Sequence, residues 1–223
     1  MTHLEVEVNR LKEDLKEMMA LTNSQIKKAR EAIFNFDKDL AREIIFYEKR
    51  INSLELKIDR DCENMLALLT PVAIDLRLVL ATLKINSSLE RIADNADSLA
   101  RYVIEMKEPF DEDLMLRIKL KEMFEIAVSM LDDIYDAFDK EDTRIARNVL
   151  LKDDRMDEIN MVAAYTVEEF IKSHLDKTYQ SLFILSAIRK LERVGDQNKN
   201  IAEEIIFYLE AKVLRHKPPG QGL

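Results

Sequence analysis

Up to Val194 the chain contains no glycine, and only two prolines, Pro71 and Pro109, interrupt it. These are the residues that break helices and make tight turns. A chain that withholds them for so long, and is rich in Leu, Ile, Ala, Glu, Lys, Met and Arg, builds long helices and little else. The two prolines then mark joints between helices. Gly195 would sit in mid-helix at a cost of about 1 kcal/mol relative to Ala, which points to close packing or to room for a ligand.

Apolar periodicity places six helices. Leu4, Val8, Leu11, Leu15, Met18, Ile26 and Ile33 stripe a first helix over Met1 to Phe36, and Asp37 offers N-cap chemistry for a second that carries Leu40, Ile44, Tyr47, Ile51, Leu54, Ile58, Cys62 and Met65 and ends near Leu69. A third, striped by Leu78, Ile85, Leu89, Ile92, Ala96, Leu99 and Val103, runs from the Thr70-Pro71 break toward Pro109. The second half repeats the plan with helices over Glu112 to Phe138, Asp142 to Ser173 and Lys177 to Lys212. The predicted fold is all-α: two tandem three-helix bundles over 1–108 and 109–216, with 217–223 as a loose tail rich in Pro and Gly.

The duplication is visible in one motif. Leu89-Glu90-Arg91-Ile92-Ala93-Asp94 recurs as Leu191-Glu192-Arg193-Val194-Gly195-Asp196, each with two carboxylates about one helical turn apart on one face. Such a pair repels itself unless a positive charge intervenes, either a cation or a bridging Arg or Lys. In an antiparallel hairpin, residues at equal height have a constant sum of numbers, about 145 for the second and third helices. Glu55 then faces Glu90 and Glu48 faces Asp97, with Asn52 and Asp94 between them and Asp59 one turn further on. In the second hairpin, where the constant is about 352, Asp153 and Asp157 bracket the height of Asp196, and Glu192 faces Asn160. These acids are about 100° off the apolar stripe, on a wet flank suited to a hard or borderline cation.

Other chemistries are poorly served. A formal charge of −9 disfavours nucleic acid as a partner. The single Cys62 forms no internal disulfide and fits burial in a reducing compartment. No apolar run approaches a membrane span, so the chain reads as cytoplasmic. The three histidines, His3, His174 and His216, stand away from the acid pairs, and no Gly-rich phosphate loop or nucleophile constellation is present, which argues against an enzyme. His216 reads as a free surface residue. Arg77, Arg91 and Arg193 are expected to bridge nearby carboxylates, with contact to a phosphate as the alternative, and the ten methionines to fill core gaps, with a Met-rich partner surface as the alternative. The bland alternative is a helical scaffold whose acids, in a chain with 35% charged residues, are simply solvated and paired with Lys or Arg. A carboxylate-metal hydrolase or oxidase is a third reading, disfavoured by the missing His.

With Asp75-Leu76-Arg77 before the first motif and Ala96 behind it, and with Asn200-Ile201, Ile206-Phe207-Tyr208 and Arg215-His216 after the second, the chain resembles the PhoU family of bacterial phosphate uptake from about Leu11 to His216. The resemblance implies a cytoplasmic adaptor without a reaction of its own. It would negatively regulate phosphate uptake and the phosphate-starvation response by contacting the ATPase subunit of a phosphate transporter and a sensor histidine kinase. Service to a low-affinity phosphate permease is the alternative within the family. The resemblance also implies metal ions, iron or zinc first and Mg, Ca or Ni after them, at Glu55, Asp59, Glu90 and Asp94 and at Asp153, Asp157, Glu192 and Asp196. Glu48 and Asp97 join the first set by their height, and a homodimer is expected. Against the commoner family pattern, Ala93 replaces a glycine, Ser98 stands where the second copy has Asn200, Asn52 replaces an acid, and Asn160 and Ala164 stand at the repeat equivalents of Glu55 and Asp59.

Overall fold

A computed structural model describes residues 2–213. His216 and the tail over 217–223 lie outside the described residues. Helix α1 (His3–Asn35) opens on a capping box between Thr2 and Glu5. Helix α2 (Lys38–Asn64) opens on the expected Asp37 cap, which accepts from the Asp39 and Leu40 amides, and runs into a π-helical turn over Met65–Leu69. Helix α3 (Ala73–Glu105) follows Pro71 and stops four residues before Pro109. After a short α4 (Glu112–Arg117) come α5 (Leu120–Asp139), α6 (Thr143–Ser173), capped by Asp142, and α7 (Thr178–Glu210). Every apolar residue that stripes the predicted third helix is buried.

One predicted helix is in fact two. Lys119 takes a left-handed conformation, φ 59°, between α4 and α5. The reason is phase. At 100° per residue, the buried α4 residues Leu114, Met115 and Ile118 and the buried α5 residues Leu120, Met123, Phe124 and Ala127 would fall on nearly opposite faces of one straight helix. A break that resets the phase lets both stripes meet the same core. With glycine absent from every joint among the described residues, Phe36, Thr70, Ala73, Lys119, Glu141 and Ala211 adopt positive φ instead, each at a modest steric cost.

The helices form two layers. In front, α2, α3, α7 and α6 lie side by side, while α1 packs behind α2 and α3, α5 packs behind α6 and α7, and α1 meets α5. A single apolar cluster runs through both halves. Polar contacts fix the seams: Arg50 reaches Glu17 across α1 and α2 at 2.7 Å, Lys27 reaches Asp132 across α1 and α5 at 3.0 Å, and Arg155 reaches Glu122 across α5 and α6 at 2.7 Å. At the centre α3 and α7 run antiparallel. Arg77 Nε donates to the Tyr208 carbonyl at 3.1 Å, Lys84 pairs with Glu204 at 3.1 Å, and the Tyr102 and Ser186 hydroxyls lie 2.7 Å apart. This descending register puts Glu90 and Asp94 level with Asp196 and Glu192 on the next helix.

Candidate functional site

The first cluster lies in the groove between α2 and α3. Its geometry is fixed by Asn86, a fully buried residue of α3 whose Nδ2 donates to Asp59 Oδ1 at 2.9 Å and to the Glu55 carbonyl at 3.0 Å. Asp59 and Asn86 thus stand at the expected equal heights. The Asn86 Oδ1 has no hydrogen-bond partner. Glu55 and Glu90 approach each other across the groove. Burial, followed by the Asp59 and Asp94 charges, raises the Glu55 carboxyl above its ordinary range. Burial, then Asp94 and Glu55, pushes Glu90 up to about 7. Among the described residues, Glu55, Asp59, Glu90 and Asp94 make no ion pair. Further along the groove the other two predicted ligands are tied within their own helices. Asn52 donates to Glu48, and Arg101 grips Asp97 through Nε at 2.6 Å and Nη2 at 3.2 Å.

The second cluster lies between α6 and α7. Asp157 is raised by burial and by Asp153, Glu192 by burial and then Asp196, Asp157 and Asp153, and Asp196 by burial and then Asp153 and Asp157. The four acids therefore share one field. Asp153 departs from the wet flank expected of it, being only 1% exposed. Gly195 explains how it fits: a Cβ there would come within 3.0 Å of both Asp153 Oδ1 and Met156 Sδ. The missing side chain gives Asp153 its place. Lys199, which belongs to no ligand motif, donates from Nζ to Asp153 Oδ2 at 2.9 Å. Its height opposite Asp153 was readable from the same hairpin arithmetic. Asn160 is half-buried and Ala164 exposed, so the α6 acids sit nearer the start of their helix than Glu55 and Asp59 do in the first repeat.

The expected arginine bridges do not form. Arg77 caps the end of α7 through the Tyr208 carbonyl, and Arg91 and Arg193 stand exposed without an ion pair. Long, flexible side chains gain little from exposed pairing and stay in water.

Oxygen-only donors at a partly wet groove suit a hard or borderline cation. The first cluster fits this best, having converging carboxylates, an unpartnered buried amide oxygen and, among the described residues, no ion pair. Among the described residues, however, no group of three or more His, Cys, Asp or Glu is already arranged around a metal position.

A family model described as the PhoU domain matches the chain twice, over residues 15–103 and 120–205. The chain belongs to the PhoU family. The second PhoU match begins at Leu120, the first residue of α5, and both clusters lie wholly inside the matched spans. The chain is 32% identical to the phosphate-specific transport system accessory protein PhoU of Edwardsiella tarda, over 94% of this chain and 86% of that protein. The Escherichia coli K12 protein of the same name is 30% identical over the same shares. Among solved structures, PhoU from Pseudomonas aeruginosa superposes with a TM-score of 0.89 at 28% identity, covering 94% of this chain and all of that one. The phosphate transport system regulatory protein PhoU from Streptococcus pneumoniae gives 0.82 at 26% identity, covering 95% and 99%. Among the described residues no helix is long and apolar enough to cross a membrane.

Proposed function

We propose that the protein is an accessory regulator of phosphate transport which restrains uptake and the starvation response when phosphate is plentiful. It acts in the cytoplasm as a non-enzymatic adaptor, meeting the ATPase subunit of a phosphate transporter and a sensor histidine kinase, and works as a homodimer. Membership of the PhoU family over both halves of the chain carries this reading. Metal ions, iron or zinc first, clamp α2 to α3 through Glu55, Asp59, Glu90 and Asp94, with Glu48 and Asp97 close by, and clamp α6 to α7 through Asp153, Asp157, Glu192 and Asp196. Carboxylates that raise one another's proton affinity and make no ion pair among the described residues support the first clamp.

The bound metal supplies positive charge. The chain's residues set the spacing of the two grooves, and that spacing is what a partner reads. Deleting the gene and restoring it on a plasmid tests the regulatory role. Loss should derepress phosphate uptake and a starvation-responsive reporter in phosphate-replete medium, and the restored gene should silence both. A deletion strain with unchanged uptake and reporter would refute it.

A further inference from the structure

The two clusters derive from one duplicated motif and lie level on neighbouring helices, yet they are not electrostatically equivalent. In the first, the Lys190 ammonium of α7 acts on Asp94 from a distance, but among the described residues none of the four carboxylates is in an ion pair. In the second, the Lys199 ammonium is already bonded to Asp153, and its charge acts on Asp157 and Asp196 as well. The residue at the Lys199 position of the first repeat is Asp97, an acid gripped by Arg101. Asp153 is almost fully buried, and a carboxylate so placed is costly without a counter-charge.

We infer that Lys199 is a built-in counter-ion standing where the second cluster would hold a metal, so that a divalent cation fills the first cluster first and enters the second only by displacing this ammonium. The inference rests on the metal-clamp reading and deepens it. Displacement is sterically open. The Lys199 side chain is 42% exposed, whereas that of Asp153 is 2% exposed and packed against Gly195. The flexible lysine stem can swing its charge into water while the carboxylate stays put. No covalent bond changes; one cation leaves the oxygens and another arrives. The chain would thereby load in sequence, with the α2–α3 groove set at low metal concentration and the α6–α7 groove set only at higher concentration.

The test is a calorimetric titration of chelator-stripped full-length protein with Mn²⁺ and, separately, Zn²⁺. Wild type is compared with Lys199→Met, Lys199→Arg and the Glu90→Ala, Asp94→Ala pair. Wild type should show two classes of site differing in affinity by roughly tenfold or more. Lys199→Met should tighten the weaker class by roughly tenfold and leave the tighter class unchanged, while Lys199→Arg keeps the separation. The Glu90, Asp94 pair should lose the tight class and retain the weak one. A thermal melt guards against misfolding, since Lys199→Met should melt lower than wild type without metal and regain more on metal addition. Should Lys199→Met fail to fold, Lys199→Arg decides, and merged site classes in it would overturn the inference. An unchanged or weakened second class in folded Lys199→Met would overturn it while leaving the clamp at the first cluster intact. No binding in any of the proteins would remove the metal-clamp reading and this inference together.

Discussion

Glu90 offers the sharpest energetic handle on the first cluster. Its carboxyl is held up to about 7, first by burial and then by Asp94 and Glu55, so the metal-free folded state binds a proton there that the unfolded chain has already released. Stability of the metal-free protein should therefore fall as pH rises from about 4.5 to 7, because over that window the folded state holds the extra proton. A shift of this size would nominally cost about 3 kcal/mol. Since Glu90 is only half-buried, screening reduces that to roughly 1–2 kcal/mol. Glu90→Gln removes the charge and keeps the shape. In EDTA at pH 8 it should stabilise the protein by about 1–2 kcal/mol, raising Tm by roughly 2–8 °C, and flatten the pH dependence between pH 5 and 7. Urea unfolding across pH 5–8 measures this. If Glu90→Gln is less stable than wild type at pH 8 without metal, the carboxylates are not in conflict and the reasoning fails.

Three further substitutions probe the framework. Gly195→Ala should lose about 1 kcal/mol by urea unfolding, because crowding of Asp153 and Met156 outweighs the gain in helix propensity; a net gain would show that Asp153 has room to yield. Asn86→Leu should cost about 1–2 kcal/mol by freeing Asp59 and the Glu55 carbonyl, and should weaken metal binding at the first cluster only; unaltered stability would deny Asn86 its positioning role. Ala211→Gly, at the left-handed end of α7 where φ is 57°, should raise stability by about 0.5–1 kcal/mol in a thermal melt; a drop would argue against that cap.

Much of this architecture was legible because helical period and antiparallel height are rigid rules. The α3 stripe is buried as its spacing requires, and Asn86 meets Asp59 where equal heights put them. The break at Lys119 escaped a reading based on apolar content alone, although the phase jump between Leu114–Ile118 and Leu120–Ala127 was present in the sequence. The burial of Asp153 escaped because it depends on what the facing helix lacks, and Gly195 is informative only once α6 and α7 are placed together. Lys199 carries no ligand signal in the sequence, since metals are held by acids and histidines, while a lysine can hold the same position as a metal. Arg91 and Arg193 show the converse: charge proximity in sequence did not yield ion pairs, and both guanidinium groups stay exposed.

The most direct measurement is elemental analysis of protein purified without chelator, beside the Glu90→Ala, Asp94→Ala pair, with circular dichroism confirming that both are folded. Wild type should carry bound metal, and the pair should lose the share held between α2 and α3. Equal metal content in the two proteins, or none in wild type, would contradict a cation clamp at that groove.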